Sequence, residues 1–278
     1  CKASWNSFRE RFCKIGRFKV MLKTAVPTVS VCIPTYRGAT HIGAAIESVL
    51  AQSYTDFELI VIDDNSPDDT AAIVQGYLDP RIRFLQNPGN LGPQGNWNRC
   101  LNEACGKYFK LLPQDDLLAP DCLAKQVAIL DQDDAQRIAL VYCARTIVDA
   151  QDRPLMVRGY SGGRTGIVNA QNLIRHCLRR GTNLIGEPGS VLFRRQLANS
   201  VGLFDASIPY VLDLDYWFRL LLKGDSYYLP EALASFRVSR GSWSVAIGSK
   251  QSIDYRRFIG KIASDPDFSV RRIDILMG

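Results

Sequence analysis

Histidine is nearly absent: His41 and His176 are the only two in the chain. A His-built zinc centre and a Ser-His-Asp triad therefore have little material to draw on. The eight cysteines include no C-x-x-C pair and have no His nearby at metal-ligand spacing. Cys32, Cys100, Cys105 and Cys143 fall where the surrounding pattern marks core faces. Buried reduced thiols of a cytosolic protein are expected, rather than disulfides. No apolar run approaches the roughly 18 residues that a membrane span requires. Charges interrupt each apolar stretch near the N-terminus, which is not the pattern of a secretory signal. The expected location is the cytoplasm.

The 278 residues are 46% hydrophobic and 22% charged, enough core for one large α/β domain or two packed halves. The formal charge of +6 is unevenly spread. Lys2, Arg9, Arg11, Lys14, Arg17, Lys19 and Lys23 stand against a single early acid, Glu10. Trp5, Phe8, Phe12 and Ile15 recur at helical spacing among them. A basic amphipathic helix of this kind serves a membrane surface or a partner, or packs on its own core. The first alternative implies peripheral contact with the inner face of the cytoplasmic membrane through residues 1–23. No nucleic-acid motif accompanies the charge, so nucleic acid is not an expected partner.

From Pro27 onward, apolar runs alternate with helical stripes. Val29 to Ile33 reads as a strand ending at Pro34, and Thr40 is placed to cap a helix carrying Ile42, Ala45, Ile46, Val49 and Leu50. Phe57 to Ile62 is a second strand and Ile82 to Leu85 a third. Trp97, Cys100, Leu101, Ala104 and Cys105 form a helical stripe closed by Gly106, and Tyr108 to Leu112 is the next strand. Near-continuous apolar strands alternating with helices predict a mostly parallel sheet covered on both faces.

Two of these strands end in paired acids, Asp63-Asp64 and Asp115-Asp116. Alone, Asp115-Asp116 reads equally well as a solvated turn or as a metal site, and Asp63-Asp64 reads also as turn-forming chemistry. Parallel strands bring both pairs to one rim of the sheet, where open α/β folds bind ligands. Two acidic pairs converging on one crevice point to a nucleotide and a metal.

The blocks VSVCIPTYRG, SVLAQSYTDFELIVIDDNSPDDT, NPGNLGPQGNWN, GKYFKLLPQDD and LDLDYWFRLL follow one another in the order and spacing of family 2 glycosyltransferases. The resemblance runs from about Pro27 to Arg240. It implies the GT-A fold, a Rossmann-like α/β sheet with helices on both faces plus an acceptor-side subdomain. It also implies inverting transfer from a nucleotide-diphosphate sugar, with Mg²⁺ or Mn²⁺ as cofactor.

By this resemblance Pro34, Thr35, Tyr36, Asp64 and Asn90 hold the donor nucleotide, Asp64 accepting from a pyrimidine imide. Asp115 touches the ribose or the metal, and Asp116 is the metal ligand. Asp213 is the general base. Its position at a helix N-terminus is expected to favour the ionised carboxylate. Asp215, four residues before Arg219, reads as an ion pair first and as an alternative base second. Glu187 is expected to be a surface-loop acid, and the run Arg240 to Ser244 a lid. The chain departs from the family pattern at Arg37 (commonly Asn), Pro113 and Leu212 (commonly acids) and Ser239 (commonly His).

Four segments follow: a basic N-terminal segment at 1–26, a donor-binding half at 27–145, an acceptor and catalytic-base half at 146–245, and a helical tail at 246–278. The expected activity is transfer from a UDP-sugar to a glycan or lipid-linked acceptor in cell-surface polysaccharide or glycolipid synthesis. The departures feed one alternative, a non-catalytic module that binds a sugar nucleotide. A second, a sugar nucleotidyltransferase, would want a Gly-rich basic loop after the first strand, where IPTYRGAT offers one Gly and one Arg.

Overall fold

Strands that are apolar on both faces are stable only between two layers, and the chain supplies both. A computed structural model describes residues 26–160, 163–238 and 250–276. The basic segment 1–23, Ser239 and the expected lid at 240–244 lie outside the described residues.

The first part of the chain builds β1 (Val29–Thr35), α1 (Ile42–Leu50), β2 (Phe57–Asp63), α2 (Thr70–Gln75), β3 (Ile82–Gln86), α3 (Gly92–Glu103) and β4 (Tyr108–Leu111). These strands pair in parallel in the order β3-β2-β1-β4. Every residue of β1 is buried. Val31 and Ile33 face a core layer with Ile46 and Val49 of α1, while Cys32 faces the opposite layer with Cys100 and Leu101 of α3.

The remainder adds β5 (Leu117–Leu118), α4 (Cys122–Asp131), β6 (Ile138–Val148), β7 (Pro154–Arg158), β8 (Gly166–Val168), α5 (Ala170–Arg180), β9 (Val191–Arg194), α6 (Ala198–Val201), α7 (Leu212–Leu221), β10 (Asp225–Arg237), α8 (Gln251–Ser264) and α9 (Arg272–Leu276). One ten-stranded sheet runs β3-β2-β1-β4-β9-β6-β10-β5, with β7 on β6 and β8 on β10. The unbroken run of parallel neighbours ends at β4, although β6 and β10 pair in parallel further on. The short β9 inserts antiparallel between β4 and β6, so the second half of the sheet is mixed. The expected division between residues 145 and 146 falls inside β6. α8 packs Phe258 on Phe218 of α7 at 5.3 Å between ring centroids. Among the described residues no helix is long and apolar enough to cross a membrane.

Two local expectations fail for identifiable reasons. Thr40 does not cap α1; the chain enters through His41 with no side-chain cap, and Gly38 O accepts from the His41 and Ile42 amides. Cys105 is exposed, because α3 stops at Glu103 and Ala104 is already extended. The other five described cysteines are buried, and all six are free.

Candidate active site at the sheet rim

In-register pairing of Thr35 with Asp63 brings the ends of β1 and β2 side by side. Gln114 then ties the acidic loop after β4 to that edge. Its Oε1 accepts from Thr35 Oγ1 at 2.5 Å and the Tyr36 amide at 2.9 Å, and its Nε2 donates to Tyr36 O at 3.1 Å. Both acidic strand ends therefore share one rim. A side chain at Gly38 would fall on Thr35 Oγ1 and Gln114 Oε1. Gly38→Ala is expected to lower the thermal midpoint, at a cost of about 1–3 kcal/mol, and Gln114→Ala in the same chain should restore part of it. An unchanged midpoint would mean that the loop re-forms around the methyl group.

Arg37 sits at φ +53°, a region that Asn tolerates better than most residues. Tyr36 is 40% exposed, with the Arg37 guanidinium 5.4 Å from its ring centroid, so one aromatic ring stands open at the rim.

Asp63 and Asp64 are both buried and do different things. Asp63 closes its own turn, accepting from Ser66 N and Oγ, and takes Gln86 Nε2 at 3.0 Å. Asp64 organises the next loop. It accepts from Asn87 Nδ2 at 2.5 Å and from the amides of Leu91 and Gly92 at 2.8 and 2.9 Å, and Asn90 Nδ2 donates to its carbonyl at 3.4 Å. Three of roughly four carboxylate acceptor positions are taken, which leaves one for a ligand donor.

Asp115 and Asp116 lie against the end of β10. Buried Arg237 donates its amide to Asp116 Oδ1 (3.0 Å), its Nε to Asp115 O (3.0 Å) and Nη1 to Asp149 O (3.1 Å), and pairs with Asp152. Asp116 Oδ2 is buried with no partner. Burial first, then the neighbouring Asp115 carboxylate, holds the Asp116 pKa well above the usual carboxylate range; burial also raises that of Asp115. An orphaned carboxylate oxygen beside a second acid fits a hard divalent cation, which takes one or two protein carboxylates and fills its shell with phosphate and water. No cluster of three or more acidic, His or Cys ligands exists among the described residues, so most of the shell would come from the ligand.

The fourth part of the site stands at the start of α7. Asp213 Oδ1 accepts from the Leu214 amide at 2.7 Å, and Oδ2 from Asn183 Nδ2 at 3.1 Å. Asn183 Oδ1 in turn takes the amides of Ile185 and Gly186, and Trp217 Nε1 donates to Gly186 O at 3.2 Å. Gly186 has φ +113°, which only glycine adopts readily. The fixed turn leads directly to Glu187, whose carboxylate meets buried Arg145 at 2.6 Å.

Glu187 is thus no solvated loop acid, as the sequence suggested, but the counter-ion of a guanidinium inside the cleft. A second expectation also reverses. Burial, then the Glu187 charge, pushes the Asp213 pKa up to about 7. A helix terminus contributes about 0.3–1 kcal/mol at a surface, less than the 1.36 kcal/mol of a single pKa unit, so burial outweighs the macrodipole. Asp215 is buried and held by Arg219 Nε at 2.8 Å and Lys261 Nζ at 2.7 Å, an ion-paired position that disfavours its use as a base.

The segment from Asn183 to Ser190 joins the two carboxylate centres. Asn183 holds Asp213, while a Cβ added at Gly189 would lie 3.9 Å from Asp116 Oδ2. By sequence, Asn183 opens a segment that resembles the family's acceptor-side lining and Arg237 lies in a stretch that resembles its closing element, while Gln114 and Arg145 are given no role of their own. The Gly-rich run around Glu187 was the one local signal.

Known proteins resemble this chain in sequence and in fold. The family model described as glycosyl transferase family 2 matches residues 30–201. An uncharacterized glycosyltransferase of Rickettsia typhi is 34% identical over 219 residues, 77% of this chain and 65% of its own length. S. aureus TarS 1–349 in complex with UDP-GlcNAc aligns with a TM-score of 0.67 at 20% identity, over 84% of this chain and 66% of that one. The mannosyltransferase PcManGT from Pyrobaculum calidifontis, in complex with GDP-Man and Mn²⁺, aligns at 0.64 and 21% identity, over 90% and 69%. The chain spans about two thirds of the length of each of these three proteins. The shared fold is GT-A.

Proposed function

The chain belongs to glycosyltransferase family 2, and from that premise we propose that it transfers a sugar from a nucleoside-diphosphate donor, a UDP-sugar, to an acceptor hydroxyl with inversion. The acceptor is a glycan or lipid-linked sugar of cell-surface polysaccharide or glycolipid synthesis. One observation carries the reading. A single segment, Asn183 to Ser190, holds the carboxylate suited to proton abstraction at one end and runs beside the orphaned Asp116 oxygen at the other, where a Cβ on Gly189 would come within 3.9 Å of it. Donor complexes of the two structural neighbours, one with UDP-GlcNAc and one with GDP-Man and Mn²⁺, support a nucleotide-sugar at this rim.

Pro34, Thr35, Tyr36, Asp64 and Asn90 form the nucleotide side. The open Tyr36 ring offers a stacking face, and Asp64 keeps one acceptor position for an imide N–H. Asp116, with Asp115 beside it, would hold the divalent cation. Bound there, the cation supplies charge neutralisation to the diphosphate as the glycosidic bond breaks.

Asp213 takes the proton of the acceptor hydroxyl while that oxygen attacks the anomeric carbon. The bond to the diphosphate breaks in the same step, and the leaving group keeps its electron pair. A base with a pKa near 7 balances the unprotonated fraction against basicity at neutral pH. Asn183 orients it through a hydrogen bond, and the Glu187 charge adds to the rise in pKa that burial gives it.

The transfer rate should therefore rise with pH through about 7, where Asp213 loses its proton. Glu187→Gln removes a negative neighbour that raises this pKa and leaves the Arg145 cation, which lowers it. The acidic limb of kcat/KM should move to lower pH, measured with one acceptor across the range. An acidic limb that stays in place, or moves up, contradicts Asp213 as the titrating base.

A further inference from the structure

Charge on the acceptor side of the cleft is out of balance. β6 and β7 run antiparallel and set Arg145 directly opposite Arg158. Like charges facing each other across a ladder repel. Arg145 is answered by Glu187. Arg158 is exposed, and no salt bridge or side-chain hydrogen bond engages it among the described residues. Both arginines, with Thr182 and Asn183, line a cavity of about 230 Å³. That volume holds roughly seven waters at ~30 Å³ each, the scale of one sugar residue and not of a chain. Asn183 donates to Asp213, so the cavity adjoins the assigned base. The lining itself holds two guanidiniums and no carboxylate; Glu187 answers Arg145 and Asp213 is held behind Asn183, so Arg158 is the cation of this lining with no ion-pair partner among the described residues.

We propose that this cavity selects an acceptor whose reacting sugar carries an anionic group, a phosphate or a carboxylate, bound by Arg158. The inference rests on the transferase reading above and names the acceptor class for the same site. A guanidinium fork matches the two oxygens of either group with parallel hydrogen bonds, which a lysine cannot reproduce. The anion also relieves the repulsion between the paired arginines. Arg145, buried and already matched by Glu187, shapes the floor of the cavity, while Arg158 is the cation left for the ligand.

The test uses three glucose-based ligands: neutral methyl glucoside, methyl glucuronide with a carboxylate at C6, and glucose 1-phosphate with a phosphate at O1. Each is titrated by calorimetry into the wild-type protein loaded with UDP and Mn²⁺, and into Arg158→Gln and Arg158→Lys. The wild type is expected to bind one of the anions at least about tenfold more tightly than the neutral glucoside, the worth of a hydrogen bond to a charged group. Arg158→Gln should erase that difference and Arg158→Lys recover part of it, with circular dichroism confirming that both variants fold. Whether the glucuronide or the phosphate shows the gap identifies the group. Equal binding of neutral and anionic ligands, no saturable binding of either anion, or a preference that survives Arg158→Gln overturns the inference. UDP release from a UDP-sugar is measured on the same preparations. Donor cleavage without anion preference sinks this inference alone, whereas anion preference without donor cleavage sinks the transferase reading.

Discussion

Asp213→Asn is expected to reduce sugar transfer by about 10²- to 10⁴-fold, the usual contribution of a positioned general base, while donor affinity stays close to that of the wild type. The separation follows from position. Asp213 stands at the start of α7 and is held by Asn183, on the acceptor side, whereas the nucleotide side is built by the ends of β1, β2 and the Asn87–Gly92 loop. Asparagine has nearly the same shape but cannot accept the acceptor proton. The loss should therefore appear in kcat with little change in donor KM, the signature of an interaction made in the transition state. Single-turnover rates and donor titration on the same variant check it. A variant that transfers at more than about a tenth of the wild-type rate would move the base elsewhere. Asp215 is a poor substitute, since Arg219 and Lys261 both hold it.

Asp116→Asn should abolish the metal response and, in metal-free buffer, make the protein more stable. Oδ1 accepts from the Arg237 amide, a bond that an asparagine Oδ1 can keep, while Oδ2 has no partner to lose. The sign is fixed by the raised pKa. A carboxyl whose folded value exceeds its unfolded one costs stability progressively as pH rises from the unfolded value through the folded one. Asparagine does not titrate, so at pH 7 without metal the variant should melt higher, by about 2–4 °C for each kcal/mol of buried charge relieved. With Mn²⁺ and UDP the order should reverse, because only the wild type gains stability from the bound cation. Thermal melts with and without Mn²⁺ read both halves. Equal Mn²⁺ stabilisation of the two proteins would remove Asp116 as a ligand.

Much of the site was legible because it depends on short-range sequence. Apolar strands ending in acid pairs, and parallel connections that carry both to one rim, follow from local pattern alone. Asp213 was picked out by the resemblance of LDLDYWFRLL to the family, with its place at the start of an amphipathic stripe beside it. The missed features are long-range. Arg237 reaches Asp116 across 121 positions, and Arg145 reaches Glu187 across 42. No periodicity reports such partners, and Glu187 in a Gly-Pro-rich segment looks like a solvated loop residue until β6 supplies a guanidinium. The pKa of Asp213 was misjudged for a related reason. Sequence places a carboxylate at a helix terminus, but only the packed cleft shows how far water is excluded from it. Antiparallel β9 escaped as well, since four apolar residues after a turn carry no sign of strand direction.

The central claim is that this rim cleaves a nucleotide-sugar with the help of a metal and Asp213. UDP release from a panel of UDP-sugars, with Mn²⁺ and again with EDTA, tests it most directly. Turnover that needs Mn²⁺, stops with EDTA and is lost in Asp213→Asn is the expected result. Saturable UDP-sugar binding with no UDP released under any of these conditions would contradict it and leave a sugar-nucleotide-binding module.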